Sequence, residues 1–170
     1  MTGYPEDTAG EFPPPPREFV DGEDRRVRLR ESHPGRDGLV GMYLDFAPED
    51  RAQGIPPAKE PAIRDWLETV TGPDCLSVVA VVDRTVGHAV LVPDGDESYE
   101  LAIFVLQEYQ SAGIGTELLR TLLGLAQAEG VERVWLTVER WNDAAVRVYE
   151  TVGFETVEEA GLELEMSVRI

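Results

Sequence analysis

Residues 98–130 most constrain what this chain can fold into. "SYELAIFVL" is a β-favouring run, "YQSAGIG" is a turn containing Gly113 and Gly115, and "IGTELLRTLLGLAQAEG" is an amphipathic stretch closed by Gly130. Its stripe of Ile114, Leu118, Leu122 and Leu125 faces one side of a helix. "VERVWLTVE" then returns to strand character. A strand, a long helix and a second strand in succession require two parallel strands with the helix laid over the sheet.

The flanking segments extend that sheet. "RRVRLRE" alternates, with Val27 and Leu29 on one side, and predicts the first strand; "GLVGMYLDF" predicts a short helix. "PAIRDWLETVTG" carries Pro61 at a helix start, a stripe of Ile63, Trp66, Leu67 and Val70, and the terminators Gly72 and Pro73. "CLSVVAVVD" and "TVGHAVLVP" predict a hairpin turning at Arg84. "NDAAVRVYETVG" predicts a helix with Asn142 as its N-cap and Gly153 just past its end, and "FETVEE" and "LELEMSVRI" close as a β pair. The order β, α, α, β, β, β, α, β, α, β, β specifies a mixed α/β domain over residues 21–170. Residues 1–20, with Pro13 to Pro16 among Gly, Asp and Glu, are expected to be a disordered, Pro-rich acidic tail.

Charge narrows the partners. The chain has 33 acids against 15 bases, for a net charge of −18, and Lys59 is its only lysine. A surface acidic throughout repels nucleic acid and anionic membranes, so neither is expected as a partner. The lysine-poor, acid-rich balance resembles proteins of salt-loving microbes. No apolar run approaches the ~20 residues of a membrane span, and the N-terminus lacks the pattern of a secretory signal, so a cytoplasmic location is expected. Cys75, the only cysteine, is expected to be a small buried hydrophobe rather than a nucleophile. Monomer and homodimer are both compatible with the sequence, and no metal enters this reading.

The glycine turn raises the question of function. The first turn of a helix leaves backbone N–H groups unpartnered at an electropositive end, where an anion can sit on bare peptide if no side chain intervenes. A P-loop would need Gly-Lys-[Ser/Thr], but Gly115 is followed by Thr116 and Glu117. A dinucleotide fingerprint would need a third glycine where Leu118 stands. A tight turn without any ligand is the remaining alternative.

Residues further on bear on that choice. Gln110-x-x-Gly113-x-Gly115, followed by a helix, a strand and then Asn142-x-x-Ala145-x-x-x-Tyr149-x-x-x-Gly153-Phe154, resembles the GNAT superfamily of acetyl-CoA-dependent N-acetyltransferases over residues 81–155. The resemblance implies a mixed sheet, flanked by helices, whose central strands 98–106 and 133–138 splay apart around acetyl-CoA. It implies that the amides of Ser111, Ala112, Gly113, Ile114, Gly115 and Thr116, with Gln110, hold the pyrophosphate. Ile103, Phe104 and Val105 would pair through their backbone with the pantetheine arm, and Asn142 would touch the cofactor at the next helix. Ser111 and Ala112 depart from the Arg-Gly that the family often carries thereabouts.

Acetyl transfer to an amine needs a base for the amine proton, polarisation of the thioester carbonyl, and a proton donor for the leaving thiolate. By the resemblance, Tyr149 is the donor; the alternative is a core tyrosine on the stripe of Ala145, Val148 and Val152. Glu100, inside the apolar strand "YELAIFV", is the candidate base, as in the superfamily's protein lysine acetyltransferases; the alternative is a solvent-facing or arginine-paired glutamate. His88 is a second candidate base or a satisfied sheet histidine, and Glu139 reads as a surface acid. Acceptors are expected near the loop from Ala52 to Pro57 and the turn at Trp141. The expected reaction is direct transfer in a ternary complex to a protein lysine, with a small-molecule amine as rival acceptor. A non-catalytic acyl-CoA-binding module is the rival of another class.

Overall fold

The computed structural model describes residues 3–33, 35, 37–48, 51 and 55–170. Eight strands form one sheet: β1 Arg17–Val20, β2 Arg26–Glu31, β3 Leu76–Val81, β4 Thr85–Pro93, β5 Tyr99–Val105, β6 Arg133–Glu139, β7 Glu155–Ala160 and β8 Glu163–Arg169. Among the described residues four α-helices accompany them: α1 Leu39–Leu44, α2 Glu60–Val70, α3 Ile114–Ala128 and α4 Asp143–Val152. The sheet order is β1-β2-β3-β4-β5-β6-β8-β7. Every neighbouring pair is antiparallel except β5 and β6, which are joined through α3 and run parallel.

Alternation along β4 sorts the helices onto two faces. A Cβ on Gly87 would stand 3.1 Å from Leu118 of α3. The next residue, His88, points the other way and is bonded to Tyr43 of α1. On the α3 side the core is aliphatic, with Leu118, Leu119, Leu122, Val134, Leu136 and Met166 all buried. On the α1 and α2 side it is aromatic. Tyr43 lies 5.1 Å from Trp66 and 5.6 Å from Phe104 between ring centroids, and Phe46 stacks on it at 5.6 Å.

The expectation of a disordered tail through residue 20 is corrected for the described residues. Arg17–Val20 pairs with β2 as an edge strand of the sheet. Ahead of it the chain is bound to the domain: Ala9 donates its N–H to the Arg169 carbonyl, Phe12 donates to Gln127 Oε1, and Gln127 Nε2 donates back to the Gly10 carbonyl. Phe12 is buried. A Cβ on Gly124 would collide with the Pro13 carbonyl. Gly124 is thus the gap in the outer face of α3 through which the proline run passes. Gly124→Ala should therefore lower stability by about 1–3 kcal/mol, although alanine is the better helix former. Thermal unfolding checks the sign, and a variant more stable than the parent would show that the N-terminal seat is not filled.

Cys75 also departs from expectation. It lies just before β3, half-buried, with Sγ 3.5 Å from the Thr69 carbonyl. Burial pushes its thiol above the usual range. Among the described residues no helix is long and apolar enough to cross a membrane.

Candidate active site

β5 and β6 start side by side and then separate. Among the described residues they pair only at Tyr99–Val134 and Glu100–Trp135. Beyond Glu100 the edge of β5 that faced β6 has no strand paired with it among the described residues, while its other edge stays paired with β4 as far as Val105. β6 is paired on its other edge with β8 along its whole length. A parallel pair that diverges after two residues leaves a wedge in the sheet, lined by backbone groups that need partners.

The glycine turn stands at the end of β5 that borders this wedge. A single 3₁₀ turn, Gln107–Tyr109, leads out of the strand. Ser111 then adopts φ 61° and Gly113 φ 92°. Gly113 is the N-cap of α3 and offers no side-chain cap. The first amide to find a carbonyl within the helix is that of Glu117, which donates to Gly113. The amides of Ile114, Gly115 and Thr116 come earlier and are the orphan donors of a helix start. A Cβ on Gly113 or Gly115 would meet no heavy atom within 4 Å, so no neighbouring group fills the space beside these two glycines. Left-handed residues next to a helix start form a concave set of N–H groups suited to an anion. The residues present therefore fit a diphosphate.

Other predicted contacts divide. Gln110 Nε2 donates to the Val105 carbonyl at 2.9 Å, so these two residues brace each other, and that carbonyl is occupied. Ile114 is buried in the core and offers only its backbone. Asn142 Oδ1 accepts from Ala145 N at 3.2 Å, which leaves its amide NH2 group as the part available to a ligand. Ile103, Phe104 and Val105 lie on the unpaired stretch of β5.

The catalytic candidates sit on the two sides of the sheet. Tyr149 is buried on α4, which packs beside α3, with its ring 5.8 Å from Phe154. Burial pushes its hydroxyl up to about 12. Glu100 shares the opposite face with Phe104, two pleats along β5. It is exposed by surface area, yet partial desolvation and then the nearby Asp94 charge raise its carboxyl above the ordinary 4.5. Asp94 in turn accepts from Trp135 Nε1 at 2.6 Å. His88 is different. It is fully buried, with Nδ1 2.7 Å from the Tyr43 hydroxyl and Nε2 2.6 Å from Ser77 Oγ. Both ring nitrogens are taken, so it is a satisfied histidine of the sheet. Glu139 ends β6, half-buried, and its carbonyl accepts from Asn142 N. Of the expected acceptor loop, residues 52–54 lie outside the described residues, while Trp141 is among the exposed large apolar side chains. A cavity of about 560 Å³ lies beside the β3–β4 turn, between Arg30, Met42 and Arg84, and none of its lining residues belongs to β5, β6 or the glycine turn.

The chain as a whole is matched by known proteins. The sequence model of the acetyltransferase (GNAT) family matches residues 39–154. The chain belongs to the GNAT acetyltransferase family. Acetyl-CoA is the co-substrate of that family. An uncharacterized N-acetyltransferase of Mycobacterium tuberculosis (strain ATCC 25618 / H37Rv) is 36% identical over 92 residues, 53% of this chain and 59% of that relative. The [ribosomal protein bS18]-alanine N-acetyltransferase of Escherichia coli K12 is 39% identical over 59 residues, 35% of this chain and 40% of that enzyme. Among solved structures, the GNAT domain of S. lividans PAT superposes with a TM-score of 0.76 at 15% identity, covering 91% of this chain and 97% of that one. PaiA N-acetyltransferase from Thermoplasma acidophilum, solved with coenzyme A, gives 0.67 at 18% identity, covering 85% and 99%. These structural likenesses carry the fold alone.

The GNAT turn yields a prediction. Gly115 lies inside α3, where alanine is favoured by roughly 0.8–1.0 kcal/mol over glycine. Gly115→Ala should raise the melting temperature of the free protein while weakening coenzyme A binding by tenfold or more, because the added methyl occupies the space over the amides. Calorimetry with coenzyme A checks it. Unchanged affinity would remove the turn from the binding site.

Proposed function

We infer that this GNAT protein transfers acetyl from acetyl-CoA to a primary amine, carried by a protein lysine, by direct attack within a ternary complex. The observation that carries this reading is the wedge between β5 and β6, with the turn holding Gly113 and Gly115 at its mouth. Acetyl-CoA supplies the activated acetyl group.

In this reading the amides of 111–116 hold the diphosphate, the unpaired edge of β5 at Ile103 to Val105 takes the pantetheine arm, and the NH2 group of Asn142 adds a contact. A backbone N–H of that strand end polarises the thioester carbonyl. Glu100 takes the proton of the attacking amine. Its raised pKa keeps it a stronger base than an ordinary glutamate, and its charge suits a cationic substrate. Tyr149 stays protonated at neutral pH and donates to the departing sulfur from the α3 side. Base and donor thus flank the thioester from opposite faces of the sheet.

Incubating the enzyme with cell proteins and labelled acetyl-CoA, followed by mass spectrometry, tests the acceptor. Label on lysine Nζ is expected. Label on N-terminal α-amines would move the reading toward the activity named for the E. coli relative, and label confined to low-mass material would replace it with a small-molecule acceptor. Tight binding without turnover on any amine would leave a non-catalytic acyl-CoA module. Glu100 has its own test. kcat/KM should fall on the acid side with an apparent pKa above 4.5, and Glu100→Gln should flatten that limb and lower the plateau about 100-fold. A limb unchanged in the variant would transfer the base role to another group or to water.

A further inference from the structure

The turn between β1 and β2 touches the anion seat from behind. Gly22 donates its N–H to the Ala112 carbonyl at 2.9 Å. In a planar trans peptide the C=O and the following N–H point in opposite directions. Pinning the Ala112 carbonyl toward Gly22 therefore turns the Gly113 N–H away from the brace, to the side where a ligand would lie. Gly113 has the φ freedom that would let this peptide flip. Once flipped, it would present a carbonyl oxygen to an anion.

The donor is itself held in place. Asp21 Oδ1 accepts from Glu23 N and Arg25 N, each at 2.9 Å, and Asp21 Oδ2 accepts from Arg25 Nε at 2.7 Å. Asp24 N donates to the Asp21 carbonyl, closing a β-turn with Gly22 at its second position. Arg25 then reaches the 3₁₀ turn ahead of the seat: its guanidinium carbon lies 4.5 Å over the Tyr109 ring, and its Nη1 is 3.5 Å from the Glu108 carbonyl. From the same strand pair, Arg17 binds the Glu117 carboxylate at 3.0 Å. That contact neutralises the one acid in the first turn of α3, where it would oppose a phosphate.

We propose that the β1–β2 turn is a brace that holds the Ala112–Gly113 peptide in the orientation needed to bind the coenzyme A diphosphate, with Gly22 and Arg25 as positioning residues. The proposal rests on the reading of residues 111–116 as the diphosphate seat. It predicts that damage to the brace is felt in cofactor affinity and not in the chemical step.

Gly22→Pro removes the donor at a turn position where proline is accepted, and its ring carbon takes the place of the hydrogen facing the Ala112 carbonyl, so that carbonyl must turn away. It should raise the Kd for coenzyme A by tenfold or more, and KM for acetyl-CoA in parallel, with kcat at saturation within about twofold. Arg25→Ala, which leaves every backbone donor in place, should raise Kd about threefold to tenfold, and Arg25→Lys should recover part of the loss. Circular dichroism and thermal unfolding establish which variants fold. Should Gly22→Pro fail to fold, the pair Arg25→Ala and Arg25→Lys decides the matter. A folded Gly22→Pro protein, or Arg25→Ala in its place, that binds coenzyme A within twofold of the parent overturns the brace while leaving the diphosphate seat standing. A folded parent that gives no heat with coenzyme A overturns the seat itself.

Discussion

Replacing Tyr149 with phenylalanine should lower kcat about 100-fold and leave the Kd for acetyl-CoA within about twofold. Tyr149 is enclosed between α4 and the core, and its ring contacts Phe154. Phenylalanine keeps that ring and its packing. Among the described residues no group hydrogen-bonds the hydroxyl, so little stability should be lost. What disappears is one O–H, which burial keeps protonated up to about pH 12. A donor that never ionises near neutrality is available at every turnover. Its value lies in the transition state, where charge gathers on sulfur, and not in the ground-state complex. The loss should therefore appear in kcat and resist correction by more acetyl-CoA. Steady-state kinetics together with calorimetry decide it. A variant with full kcat would return Tyr149 to an ordinary core role.

The two candidate residues differ in how legible they were. Tyr149 stands in a motif whose spacing can be read directly, and its helix follows from the Asn142 cap and the stripe of Ala145, Val148 and Val152. The strands around the wedge were equally legible, because alternation and apolar runs reflect the faces they bury. The surroundings of His88 were not. The partners that satisfy His88 lie 45 and 11 residues away in sequence, and only the assembled sheet brings them to its two nitrogens.

The N-terminal segment was hidden for a related reason. Four consecutive prolines with acids nearby have the composition of a tail, and composition is blind to a groove made elsewhere. Its local signal was Gly124, a glycine in the middle of a strongly helical stretch with no local reason to be there. That glycine makes room for Pro13 across α3. The brace had a faint signal as well. "REFV" and the alternating run "RRVRLRE" are separated by Asp-Gly-Glu-Asp, a turn composition.

His88 makes stability depend on pH in a defined window. Burial holds its native pKa at about 4, against 6.5 in the unfolded chain, and the Asp37 charge only partly offsets this. Between those values the unfolded state binds a proton that the native state does not, so the unfolding free energy falls as the pH drops through the window. The shift corresponds to about 3 kcal/mol in total, present in full above pH 6.5 and lost by pH 4. At neutral pH, His88→Gln should cost about 1–3 kcal/mol, since the buried Tyr43 hydroxyl and Ser77 both lose the imidazole. Glutamine does not titrate, so the gap between parent and variant should shrink steadily from pH 7.5 toward pH 4.5 and close or change sign there. That difference isolates His88 from the many surface carboxylates, which titrate alike in both proteins. Urea unfolding at fixed ionic strength over this range measures it. An equal gap at both ends would mean that the Tyr43–His88–Ser77 chain tolerates a proton, and that the imidazole is not held neutral by burial.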